Sequence, residues 1–137
     1  MSRALVIAAC IAAANGLLAQ EQSPDVIEAP NHERCSRSAY EAGRRDAEID
    51  IRTGHLVVEM FRGPLPPWND DWVKLLNDKY HIYVREVAGD VVDYQIVGRG
   101  RGYNEISKAE IQRRFGSDVV SKTLEEVRNQ WKQTHPK

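Results

Sequence analysis

The chain has 137 residues and a mass of 15.6 kDa, with 42% apolar and 28% charged residues. That is one ordinary domain at most, and it excludes a collagen-like chain, a disulfide-dense mini-protein and a polytopic membrane protein. Lys and Arg total 19 against 20 Asp and Glu, a net charge of −1, so no bulk basic field points to nucleic acid.

Arg3 gives the N-terminus one positive charge, and residues 4–19 are uncharged and apolar apart from Asn15 and Gly16. Those residues fall short of the roughly 20 needed to span a bilayer. A short basic start, an apolar run and small residues near a cut site read as a secretory signal. Cleavage after Ala19 is the first choice and cleavage after Gly16, with Ala14 at −3, the second; an uncleaved N-terminal anchor is the competing reading. Ile7-Ala8-Ala9-Cys10 is a poor lipoprotein box, because the apolar run continues past the cysteine. Removal of residues 1–19 leaves no membrane span and Cys35 as the sole cysteine. Cys35 is then a free thiol or pairs with another chain, as in a disulfide-linked dimer.

Residues 20–37 hold two prolines, four acids and one short apolar pair, Val26-Ile27, and read as a flexible tether. Within it Cys35 lies between Arg34 and Arg37, which predicts an exposed, reactive thiol. Residues 38–53 read as a helix. Ser38 and Glu41 have capping-box spacing, Tyr40, Gly43, Ala47 and Ile51 share one face, and Gly54 is placed to end it. The outer face pairs Glu41 with Arg45, Arg44 with Glu48 and Glu48 with Arg52.

Residues 55–61 read as a strand, and Gly63-Pro64-Leu65-Pro66-Pro67 as a turn. Residues 69–79 form a helix capped by Asn69, with Asp70 and Asp71 in its first turn and Trp72, Leu75, Leu76 and Tyr80 as its apolar stripe. Residues 81–88 follow as a second strand. Strand, helix and strand in this order predict a crossover with parallel strands.

Residues 91–115 admit two readings. In one, residues 91–97 form a third strand, hairpinned at Gly89-Asp90 and followed by a loop over residues 98–102. In the other, favoured, a helix runs over Tyr94–Phe115, with Ile96, Val97, Gly100, Tyr103, Asn104, Ser107, Ile111 and Phe115 on one arc and Glu105, Lys108 and Gln112 opposite. Gly98, Gly100 and Gly102 oppose that helix by about 1 kcal/mol each relative to Ala. After Gly116, Ser117 or Asp118 caps a last helix to about residue 133, with Val120, Leu124, Val127 and Trp131 as its stripe. The whole reads as a small single α+β domain over residues 38–133, about four helices packed on a short sheet containing a β-α-β unit, with a frayed tail over residues 134–137.

Gly43-Arg44-Arg45-Asp46-Ala47, Pro64-Leu65-Pro66-Pro67-Trp68, Gly102-Tyr103-Asn104 and Arg114-Phe115-Gly116 together resemble the landmarks of a family of small uncharacterised bacterial proteins. The likeness spans about residues 40–131. It implies a bacterial source, a shared fold and a helix over Tyr94–Phe115; it implies no reaction.

Gly98-Arg99-Gly100-Arg101-Gly102-Tyr103 is not a nucleotide loop: the dinucleotide fingerprint wants glycine where Tyr103 stands, and no Gly-Lys-Ser/Thr follows. His32 with Cys35 is too small a ligand set for structural zinc. His55 and His81 both precede strands, and with Asp78 or Glu59 they are a metal candidate, although strand-end capping is the plainer account; no metal or cofactor is assigned. No Gly-x-Ser-x-Gly elbow exists, so a hydrolase would need Asp46, Asp50, Asp70, Asp71 or the histidines to converge in space; for Asp46 and Asp50, one turn apart on a helix with three opposite-charge pairs, surface electrostatics is the plainer account. Trp68 and Trp72 lie four apart beside prolines, either as a platform for a sugar or a proline-rich peptide, or packed under the turn. Asn104 falls in the apolar arc beside Tyr103. It either ties the helix to another element's backbone or lines a small cleft with the Tyr103 hydroxyl. The candidate binding residues are therefore Trp68, Trp72, Tyr103 and Asn104. The expected function is an exported, periplasmic or secreted, binding or interaction domain taking a protein or small-molecule ligand; the alternative is a small hydrolase with convergent acids or histidines.

Expressed in a bacterium, the chain is expected in the periplasm or medium, lighter by its first 16 or 19 residues. An intact mass for all 137 residues in the cytoplasm contradicts export.

Overall fold

The structure, a computed structural model, describes residues 25–28, 34–61, 63–87 and 93–136. The expected signal segment, its cleavage sites, His32 and the Gly89-Asp90 hairpin lie outside these residues. No helix among the described residues is long and apolar enough to cross a membrane.

The fold is α+β: the described residues form four helices around a two-stranded parallel sheet, with a second, short hairpin before them. That hairpin corrects the tether reading. Strands β1 (Val26–Glu28) and β2 (Arg34–Ser36) pair antiparallel, with Ile27 opposite Cys35. Cys35 has no exposed surface and packs with Val97, Ile27 and Tyr40. Burial, and then the nearby Asp25 carboxylate, raise its pKa, so the exposed thiolate expected from Arg34 and Arg37 does not form.

The anchor for the hairpin is Asp25. Its carboxylate accepts from the Ser36 hydroxyl, and from the Ser38 N–H and hydroxyl, both at 2.9 Å. These bonds, led by that from Ser36, hold its pKa below the ordinary value. Helix α1 (Arg37–Arg52) therefore starts earlier than expected: Ser36 is its N-cap, accepting from Ala39 N–H, and Ser38 is engaged by Asp25 rather than closing a box with Glu41. Arg44 reaches across to Glu105 at 2.5 Å instead of serving only its own helix.

Strand β3 (Leu56–Met60) follows, then helix α2 (Asn69–Tyr80) and strand β4 (Ile82–Glu86), which pairs in parallel with β3, Leu56 against Ile82 and Glu59 against Arg85. Asn69 is the first residue of α2 rather than its cap; Trp68 holds the cap position without a side-chain bond. His81 ends α2 in the left-handed region, φ 54°, so β4 begins one residue later than expected.

Tyr94–Phe115 is one helix, α3, capped by Asp93 through Ile96 N–H and closed by Gly116 at φ 69°. The strand–loop alternative is thereby overturned. Its glycines have a packing reason. A Cβ at Gly102 would stand 2.0 Å from the Tyr40 carbonyl oxygen, one at Gly98 2.5 Å from that of Ser36, and one at Gly43 2.0 Å from that of Arg99. Only hydrogen at these positions lets the backbones of α1 and α3 meet, and that contact offsets the poor helix propensity. Helix α4 (Val119–Thr134) is capped by Asp118.

Alternation along β3 divides the interior. Leu56 and Val58 join Trp72, Leu76, Ile82, Ile111, Val120 and Val127 in the main core with α2 and α4. Val57 joins Ala47 and Tyr103 on the side of α1 and α3. Glu59 shares the parity of Val57 and is buried with it.

Candidate functional site

A two-stranded sheet leaves each strand one edge without a strand partner. On β3 that edge is closed by side chains of α3. The Asn104 carboxamide oxygen accepts from Glu59 N–H at 2.8 Å, and its NH₂ donates to the Glu59 carbonyl at 2.7 Å. One turn on, the Ser107 hydroxyl donates to the Val57 carbonyl. Residues 57 and 59 present their backbone groups to the same side, so α3 supplies the bonds a third strand would have made. This is the backbone tie expected of Asn104, which is half-buried.

Closing the edge this way fixes Glu59, the centre of a charged cluster. Its side chain has no exposed surface. Its Oε1 accepts from Arg85 Nε at 3.1 Å, Arg85 Nη2 at 2.7 Å and Arg99 Nη1 at 2.9 Å. Its Oε2 is buried and receives no hydrogen bond from the described residues. Arg85 comes from β4, directly opposite Glu59 in the register, and Arg99 from the inner turn of α3. Arg99 also bonds Asp46 at 2.9 Å, and Arg85 stands 3.6 Å from Asp50.

Asp50 takes a bond from the Tyr103 hydroxyl at 2.6 Å, and the Arg85 guanidinium lies 4.7 Å from the Tyr103 ring centroid. Burial, and next the bond to Asp50, push the Tyr103 phenol well above its ordinary value, so it stays protonated at neutral pH. The two guanidiniums keep outer surface, at 41% and 42% side-chain exposure, while the carboxylate that holds them has none. Counted over these described side chains alone, three carboxylates, Glu59, Asp46 and Asp50, face two guanidiniums, a formal balance of one negative charge.

The residues singled out from sequence fall on two sides of the sheet. Tyr103 and Asn104 belong to the cluster. Trp68 and Trp72 pack with the main core, the packed reading of the pair, and the alternative of an exposed platform does not form; Trp72 is 4% exposed and its indole N–H donates to the Val120 carbonyl at 3.3 Å. Asp46 and Asp50, one turn apart on α1, lie at the cluster, each facing an arginine. His55 is exposed and bonded to Thr53, and no group of three metal-ligating side chains exists among the described residues. Arg85 and Arg99 were not legible as a pair, and Glu59 was legible only as a metal candidate. The available signal was a lone acid in Leu56-Val57-Val58-Glu59-Met60, a charge in an otherwise apolar strand that burial obliges to be paired.

No family model, curated protein or solved structure matches the chain.

Replacing Asn104 by Ala removes both bonds to Glu59's backbone, and an unfolding midpoint measurement is expected to show a loss of about 1–3 kcal/mol. Asn104→Leu restores volume but neither bond and is expected not to rescue. Gln112→Ala, on the exposed side of the same helix, is expected to be nearly neutral. Parent-like stability of Asn104→Leu contradicts the edge-closing role.

Proposed function

We propose that the chain is a small exported binding module, periplasmic or secreted, that recognises its ligand at the Glu59–Arg85–Arg99 cluster and performs no chemistry on it. Export rests on the uncharged apolar run of residues 4–19 behind Arg3. The observation that carries the binding reading is the arrangement of Glu59: one carboxylate oxygen fixes two half-exposed guanidiniums, while the other receives no bond from the described residues. Charged groups already held in place lose little freedom when a ligand arrives, so a small patch of them can recognise a polar molecule. Among the described residues, the groups a hydrolase would draw on here are engaged elsewhere. The phenol of Tyr103 is held protonated, and Ser107 is committed to the Val57 carbonyl.

A panel of simple probes tests this by amide chemical-shift mapping on the purified chain: acetate, phosphate, methylammonium and glucose. Saturable shifts from at least one probe, clustered on Asp46, Glu59, Arg85 and Gly100, are expected, with no turnover of ester, glycoside or phosphoester substrates. Shifts at this face from none of the four contradict the binding site. Turnover abolished by Asp50→Asn replaces the reading with the hydrolase one.

A further inference from the structure

The bonding of Glu59 is lopsided. An ionised carboxylate offers about four acceptor positions over two equivalent oxygens. Three N–H donors crowd onto Oε1, and none of the described residues donates to Oε2, although that atom is buried. A buried anionic oxygen without a donor is unfavourable, and its persistence calls for a partner from outside the chain's own bonding.

Gly100 lies beside Oε2, and Phe61 lies against Gly100. A Cβ at residue 100 would lie 3.6 Å from Oε2 and 2.8 Å from Phe61 Cζ. The Phe61 ring thus rests on bare backbone next to the orphaned oxygen. Phe61 is itself only half-buried, and it stands after the last residue of β3, where strand pairing no longer holds it.

We propose that Oε2 is the acceptor for a primary alkylammonium group, with Phe61 as the cover that turns aside to admit it. This deepens the binding reading above and rests on it. Three features select the chemistry. A guanidinium seeks both oxygens of a carboxylate in a fork, and Oε1 is already taken by three donors, so a compact single-point donor fits and a fork does not. A hard metal ion needs several oxygen ligands, and no group of three candidate side chains stands together among the described residues. Charge then favours a cation over an anion or neutral donor: among the described side chains paired here, Glu59, Asp46 and Asp50 against Arg85 and Arg99 leave a formal balance of one negative charge, which a single ammonium matches.

The ammonium can belong to a small free amine or to a lysine side chain, and the probes separate the two. The full purified chain is titrated with methylammonium chloride, with Nα-acetyl-lysine methylamide, and with tetramethylammonium chloride at equal ionic strength, followed by amide shifts. Saturable shifts of Glu59, Phe61 and Gly100 with methylammonium, and none with tetramethylammonium, which has no N–H, are expected. A response to both methylammonium and the lysine derivative assigns a lysine-bearing partner; a response to methylammonium alone assigns a small amine. Phe61→Ala removes the cover and is expected to lower the methylammonium midpoint several-fold, because the open state no longer has to be selected. Glu59→Gln is expected to abolish the response. Should that variant fail to fold, the Phe61→Ala and tetramethylammonium arms still decide. Equal shifts from the two simple ammonium ions, or none in either the parent or Phe61→Ala, overturn the proposal. If acetate or phosphate shifts this face while methylammonium does not, the ammonium assignment falls and the binding reading stands.

Discussion

The close backbone contact between α1 and α3 is the constraint from which the rest of the molecule follows. Gly43, Gly98 and Gly102 are the residues that permit it, and each would drive a Cβ into a carbonyl oxygen of the other helix or its entry. With α3 seated this deeply, its next residues reach the sheet: Asn104 and Ser107 close the edge of β3, and Arg99 arrives at Glu59. Two strands alone make a marginal sheet. Here a helix performs part of the work of a third strand, and the same seating delivers the charges that make the candidate site.

That site is a poor device for stability. Burying a carboxylate costs desolvation that ion pairs often recover only in part, and replacing such a group and its partners by apolar residues of similar volume is often neutral or stabilising. Trp72, Leu76, Ile82 and Ile111 show that the main core needs no such arrangement. The physical case for a binding role lies in this contrast: a costly, preorganised polar cluster on one face of a sheet whose other face is packed conventionally.

Much of the fold was legible because its long elements obey one period each. The apolar arc from Ile96 to Phe115 outweighed three glycines, and the reason it did so, backbone contact with α1, is a tertiary fact no local propensity contains. The β-α-β unit followed from strand, helix and strand in sequence with a turn rich in proline. The N-terminal hairpin was not legible. Strands β1 and β2 are three residues each, too short to show alternation, and they are fixed by Asp25, a residue 11 positions from Ser36 and 13 from Ser38. For the same reason Ser38 was misread as the cap: the bond that diverts it comes from outside the helix. Of the cluster, Tyr103 and Asn104 stood out on the helical wheel, whereas the spacing of Asp46 and Asp50 read as surface electrostatics, because their arginine partners lie on other elements. The Glu59–Arg85 pair depends on the register of two parallel strands, which sequence spacing does not reveal.

A double-mutant cycle on Gly102→Ala and Asn104→Ala, read by denaturant unfolding, tests the dependence of the sheet edge on the helix contact. If the glycine contact seats Asn104, a Cβ at residue 102 lifts α3 from its place, and the Asn104→Ala cost largely disappears in that background. Gly63→Ala, where an added Cβ meets nothing within 4 Å, leaves that cost intact. Additivity of Gly102→Ala and Asn104→Ala to within about 0.5 kcal/mol would contradict the account, since the edge of β3 would then be closed whether or not the two helices meet through glycine.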